Sequence, residues 1–244
     1  MRVSNTTGAA HGFTLTELAI VLVIVALLIG GMLIPLSAQR DVQAANDTQR
    51  QLAEIRDALL GFAAANGRLP CPASPNLTGV ENPAGGGACT NQWNGFLPGI
   101  TLGIGPTDAQ GYVLDAWSNR IRYAVTTSNS NAFTTTNGVK NNWSGTLSPD
   151  LKACNTAANI TNGGTSSANC PSADRLTDTA VAVLISPGRN GGTTPTSADE
   201  LANWPSSNDP VFVNATQSPA FDDIVLWLSA NILYNRLIAA GKLP

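Results

Sequence analysis

The sequence predicts an α+β chain: one long N-terminal helix followed by a head built on an antiparallel β-sheet, with long loops and a short C-terminal helix. Three observations predict it. An apolar run over 18–36 carries no charge and leads into a stripe of period 3.5 that lasts to Asn66. Beyond it, strand-length apolar runs are separated by stretches rich in Gly, Asn, Thr and Pro. The chain then closes on an amphipathic segment that begins at Ser229.

Residues 13 to 36 are apolar on every side, which suits lipid or the interior of a helical assembly. From Gln39 the pattern turns amphipathic, with Ala45, Leu52 and Leu59 repeating at seven residues and Thr48, Ile55 and Phe62 doing the same. That spacing predicts one buried seam. Gly30, Gly31 and Pro35 mark the expected bend, because proline removes a helix hydrogen bond. Asn66-Gly67, with Pro70 and Pro72 after it, ends the helix.

Residues 67 to 111 read as a long loop rich in Gly, Pro and Asn. Tyr112–Trp117 and Arg120–Thr127 flank Ser118-Asn119 as a hairpin. Residues 128 to 175 have no sustained periodicity and read as a large loop. Thr179–Ser186 is a continuous apolar run of strand length ending at Pro187-Gly188, residues 187 to 220 form another loop, and Phe221–Leu228 is the last strand. Ser229 caps a final helix whose apolar side would hold Ile232, Leu233, Leu237 and Ile238, and Gly241 ends it.

The four cysteines fall into two local pairs, Cys71 with Cys89 and Cys154 with Cys170. Three connectivities are possible, and the local one closes the shortest loops; a loop of about 15 residues contributes about 3 kcal/mol in the chain-entropy model. A four-cysteine zinc site is disfavoured, since no C-x2-C pair occurs.

Composition bounds the function. The chain has 244 residues, 12% charged, with a formal net charge of -3. No cluster of Lys and Arg marks a nucleic-acid footprint, so none is expected as a partner. The single histidine is His11, which leaves the rest of the chain without a Ser-His-Asp or Cys-His set. Asp222 and Asp223, if both in a strand, point to opposite faces and make a poor acid and base pair. Gly103-Ile104-Gly105-Pro106 lacks the Lys-Ser/Thr of a phosphate loop. An enzyme is not expected.

Glu17 stands at the head of the apolar run, where an ionisable group is costly and therefore a functional candidate. Snorkelling to the headgroups would be its structural alternative. The stretch Gly12-Phe13-Thr14-Leu15-Thr16-Glu17-Leu18 resembles the class III signal motif of type IV pilins and type II secretion pseudopilins, with His11 where Lys or Arg is more usual. The resemblance implies a pilin-like fold and a leader, residues 1–12, removed between Gly12 and Phe13 by a membrane prepilin peptidase that methylates the new amino terminus. Residues 13–36 would then be the membrane and filament-core half of the helix, 37–66 its amphipathic half and 67–244 a periplasmic head. It also implies that Glu17 pairs with the Phe13 ammonium of a neighbouring subunit. A secretory signal peptide cleaved near Leu36-Ser37-Ala38 fits poorly, because the apolar region is too long and Glu17 interrupts it.

Asp115-Ala116-Trp117-Ser118-Asn119-Arg120, followed by Tyr123, resembles in part the Asp-Pro-Trp-Gly-Asn-Pro segment of G-type pseudopilins. In that group a loop before the last strand binds calcium. Asp199, Asp222 and Asp223 are the candidate ligands here, with Glu200 and Asp209 near them in sequence. The alternative is that Asp222 and Asp223 cap turns and pair with Arg189 or Arg175. No cofactor is required.

The resulting expectation is a single-pass protein of the bacterial inner membrane that joins a periplasmic pseudopilus of type II secretion. Its partners would be the peptidase, sister subunits and an inner-membrane assembly platform. A minor type IV pilin serving adhesion, motility or DNA uptake is the alternative within the class. Outside it stands an anchored or secreted glycan-binding module, with Trp143 and Trp204 as aromatic platforms in the loops at 128–175 and 187–220.

Overall fold

The computed structural model describes residues 12–143, 147–161, 163, 165, 167–204 and 208–244, with residues 31–38 described as helical backbone. The expected leader, residues 1–12 with His11, lies outside the described residues apart from Gly12. The fold is α+β. Helix α1 (Leu15–Asn66) crosses from one compact unit, Met1–Gln43, into a second, Ala44–Pro244. Its helical backbone continues through Gly30, Gly31 and Pro35, where a bend or melting point was expected, so the helix does not melt there. It stops at Gly67, whose φ of 68° and amide bond to the Ala63 carbonyl (2.8 Å) form a left-handed C-terminal cap.

In the second unit the seven-residue repeats are the buried seam of α1. Thr48, Leu52, Ile55 and Leu59 are buried, and Ala63 takes the fully buried place expected for Phe62. The seam packs on Val181, Leu184, Ile224, Leu228 and Leu233, so the helix covers one face of the sheet.

Among the described residues the sheet has six strands: β1 (Gly95–Phe96), β2 (Arg122–Val125), β3 (Leu151–Cys154), β4 (Arg175–Ser186), β5 (Val211–Val213) and β6 (Ile224–Ser229). Its order is β1-β2-β4-β3-β5, with β6 also paired to β4. The expected antiparallel sheet is in fact mixed, because β3 and β5 run parallel. β4 and helix α5 (Ala198–Asn203) separate these two strands in sequence and supply the crossover that parallel pairing requires. Only the second arm of the expected hairpin is a strand: Val113 and Leu114 make isolated bridges, and Asp115–Asn119 is a turn.

Three short turns of helix, α2 (Gly99–Leu102), α3 (Ser128–Asn131) and α4 (Gly138–Asn141), lie in the loops. The last helix, α6 (Ala230–Ala239), has Ser229 at its N-cap position without a side-chain bond. It buries Ala230, Leu233 and Leu237, while Ile232 and Ile238 stay about half exposed, so the apolar side is narrower than expected. Disulfides join Cys71 to Cys89 and Cys154 to Cys170.

Candidate functional site

Two places in the molecule carry groups in arrangements that packing alone does not require. The first is the start of α1. The Thr14 amide donates to Glu17 Oε2 (2.9 Å) and the Glu17 amide donates to Thr14 Oγ1 (3.2 Å), a reciprocal capping box. The T-x-x-E spacing at 14–17 is the sequence signal for this cap, a local role for Glu17 beside the expected pairing with Phe13. Phe13 and Leu15 are 88% and 87% exposed, and the described large apolar side chains from Leu18 to Ile29 are all exposed. Among the described residues no helix is long and apolar enough to cross a membrane. The side chains of residues 31–36 of the expected span lie outside that description.

The second is a cavity of about 280 Å³ in the second unit. Its rim is the turn after Asp115. Asp115 Oδ1 accepts from the Trp117 and Asn119 amides (2.9 and 2.8 Å), and Oδ2 accepts from Ser186 Oγ (2.6 Å), which ties the turn to the end of β4. Ser118, Asn119 and Arg120 therefore line the cavity. Arg120 is held there by Asp108 Oδ2 (2.7 Å) and by the Tyr112 ring, 4.2 Å away.

Glu200 and Asp223 also line the cavity, and together with Asp222 they bring ligand oxygens within 4.8 Å of one another. Asp222 and Asp223 precede β6, which begins at Ile224, so strand alternation does not separate them. Asp222 Oδ2 accepts from the Arg189 and Asn190 amides (3.0 and 3.3 Å), which is the turn-capping role weighed above. Gly188, at φ 64°, permits this approach, since a Cβ there would lie 2.5 Å from Asp222 Oδ1. Glu200 accepts from Asn190 Nδ2 at both oxygens (3.0 and 3.1 Å) and from the Asp222 amide (3.0 Å). Asp223 Oδ2 accepts from Asn203 Nδ2 (2.8 Å).

Asp199 is not brought to the cluster. Its Oδ1 accepts from Thr156 Oγ1 (3.0 Å) and the Ala157 amide (2.6 Å), fixing the loop after β3. Ser197 caps α5 through the Glu200 amide (3.1 Å), three residues on, and the Glu200 side chain lines the cavity. The signal was S-x-x-E at 197–200. Asp209 also lies outside the trio. Arg175 pairs with Asp178 (2.8 Å) and the Cys170 carbonyl, away from Asp222 and Asp223.

Three carboxylates this close repel, and burial sharpens the cost. Burial, with the charges of Glu200 and Asp222, pushes Asp223 up to about 7 against the opposing pull of Asn203 and Arg122. Asp222 is raised by burial and by Glu200. Its Oδ1 is buried and has no hydrogen-bond partner. Beside them Arg122, 3% exposed, is lowered to about 10 by burial, with the charge of Asp223 opposing. Its Nε and Nη1 are buried and make no hydrogen bond. An all-oxygen cluster with an orphaned acceptor fits a hard cation such as calcium.

Of the two candidate platforms, Trp204 lines the cavity. Trp143 packs edge-on against Tyr234, with ring centroids 4.9 Å apart, and serves the core. No protein-family model, curated protein or solved structure matches the chain.

Proposed function

We propose that the chain is a structural subunit of a periplasmic pseudopilus or pilus of the pilin class, cut between Gly12 and Phe13 by a prepilin peptidase, with type II protein secretion as its system. The observation that carries this reading is the surface of α1 after Glu17. Leu18 to Ile29 present apolar side chains on all sides of a helix and no charge. Burying each such side chain is worth about 1.5–3 kcal/mol, so this surface demands cover. Inner-membrane lipid supplies it before assembly, and the helices of sister subunits supply it in a filament. The T-x-x-E cap starts that helix two residues after the Gly12-Phe13 junction, which leaves the junction itself outside the helix, where a peptidase can reach it.

The test is intact mass and N-terminal sequencing of membrane-extracted protein from cells with and without the peptidase. The expected mature start is N-methylated Phe13, dependent on the peptidase; a start near Gln39 or an uncut Met1 overturns the reading.

Calcium at Glu200, Asp222 and Asp223 belongs to the same proposal. A ligand that binds only the folded state adds about 2.7 kcal/mol of stability at a free concentration 100 times its Kd. The thermal midpoint of the full chain in detergent is therefore expected to rise by several degrees in calcium relative to EGTA, and Asp222→Asn is expected to abolish the rise. An unchanged midpoint in the wild type would remove calcium from the proposal.

A further inference from the structure

The cavity sets a buried guanidinium, two of whose nitrogens have no hydrogen-bond acceptor, beside a carboxylate cluster with an orphaned oxygen on Asp222, and the combination defines a ligand class. Arg122 lies in the cavity wall with Nε and Nη1 unbonded. A guanidinium that has left water without gaining an acceptor is costly. Asp223 lends it charge, while the hydrogen bond of Asp223 Oδ2 goes to Asn203. In the trio, Glu200 Oε1 and Oε2, Asp222 Oδ2 and Asp223 Oδ2 already accept N–H bonds. Alone, the trio falls short of the about six to eight oxygens that calcium takes.

Calcium on the trio would leave open positions toward the cavity, because Glu200 and Asp223 themselves line it. It would also bring a dication close to Arg122, an arrangement that becomes favourable when an anion lies between the two. A carboxylate meets both needs, giving one face to the guanidinium and an oxygen to the metal. A phosphate dianion suits the place less, since Glu200 and Asp223 stand at the same wall. The rest of the wall selects what carries the carboxylate. Trp204 lines the same wall, and the side chains of Asn119 and Asn190, whose Nδ2 groups donate to the Gly188 carbonyl and to Glu200, have amide oxygens that can accept from hydroxyls.

We propose that this cavity binds an acidic sugar of the uronic acid class, its carboxylate bridging Arg122 and a calcium ion on Glu200, Asp222 and Asp223, its ring against Trp204. The inference rests on the calcium reading above and goes beyond it, by making the ion part of a ligand site. Because coupling between two ligands is reciprocal, the sugar must tighten calcium and calcium must tighten the sugar.

The experiment is calorimetric titration of calcium into the full chain in detergent, alone, with glucuronate, and with glucose as the control that lacks the carboxylate. Glucuronate is expected to tighten calcium by about fivefold or more, and glucose to leave it unchanged. Arg122→Lys, which keeps the charge and loses the bidentate fork, is expected to keep calcium and lose the tightening. Should that variant fail to fold by circular dichroism, Trp204→Ala carries the test, with calcium affinity retained and the glucuronate effect reduced. Equal calcium affinity with and without glucuronate overturns the inference and leaves calcium standing. Tightening that survives intact in the variant that folds overturns the bridge. Absence of calcium binding in the wild type overturns both readings.

Discussion

Replacing Glu81 by alanine is expected to cost about 3–5 kcal/mol of stability, the penalty for stranding one partner of a buried ion pair. Arg68 Nη1 and Nη2 donate to Glu81 Oε2 and Oε1, 2.7 Å each, and both side chains are 7% exposed. The Cys71 and Gly85 amides donate to the same carboxylate (3.1 and 3.2 Å), so Glu81 organises the loop that the first disulfide closes. Urea unfolding in detergent, followed by tryptophan fluorescence, checks the size of the loss; a cost under about 1 kcal/mol would show the pair to be dispensable. Replacing both partners with methionine is expected to cost less than Glu81→Ala, since no bare charge is then left buried. The pH dependence has a definite sign. Burial pushes the Glu81 carboxyl up, but the Arg68 and amide hydrogen bonds outweigh it and hold the group below its usual range. A depressed folded value means that the stabilisation is complete above the unfolded value of about 4.3 and is lost as pH falls through the folded value. Glu81→Gln is therefore expected to flatten the acid limb of the stability profile.

That ion pair was invisible in the sequence, and the reason is general to this head. Arg68 and Glu81 lie in a Gly- and Pro-rich stretch with no periodicity, where nothing says which charges meet. The strands β1, β3 and β5 escaped notice for a related reason. They have two to four residues each, too few for an alternation to show, and their partners lie far along the chain. β4 was legible only in its apolar half. Its first residues, Arg175 to Thr179, are polar apart from Leu176 and mostly exposed while they pair with β3. At the cavity, Asp222 and Asp223 stand out as acids, but their convergence depends on β6 starting at Ile224, three residues after the expected Phe221. Glu200 and Arg122 could be placed only by folding, since α5 aims the first and a short, fully buried strand carries the second.

The seam of α1 was the most legible element, and it carries the second large effect: Leu59→Ala is expected to cost about 2–5 kcal/mol. Leu59 is fully buried, one heptad after Leu52, in the cluster that joins α1 to the sheet and to α6. Truncation removes the transfer energy of the lost methyl groups and leaves a cavity that a helix backed by a sheet cannot readily close. Val42 supplies the control on the same helix. It is 62% exposed, lies in the other compact unit, and Val42→Ala is expected to change stability by no more than about 0.5 kcal/mol. The same urea titration compares them. A small loss at Leu59 would mean that the head stands without the seam, and a large one at Val42 would mean that residues before Ala44 unfold together with the head. The expected contrast instead divides α1 by chemistry: from Ala44 onward it contributes to the core of the second unit, and from Leu15 through Ile29 its large apolar side chains are exposed.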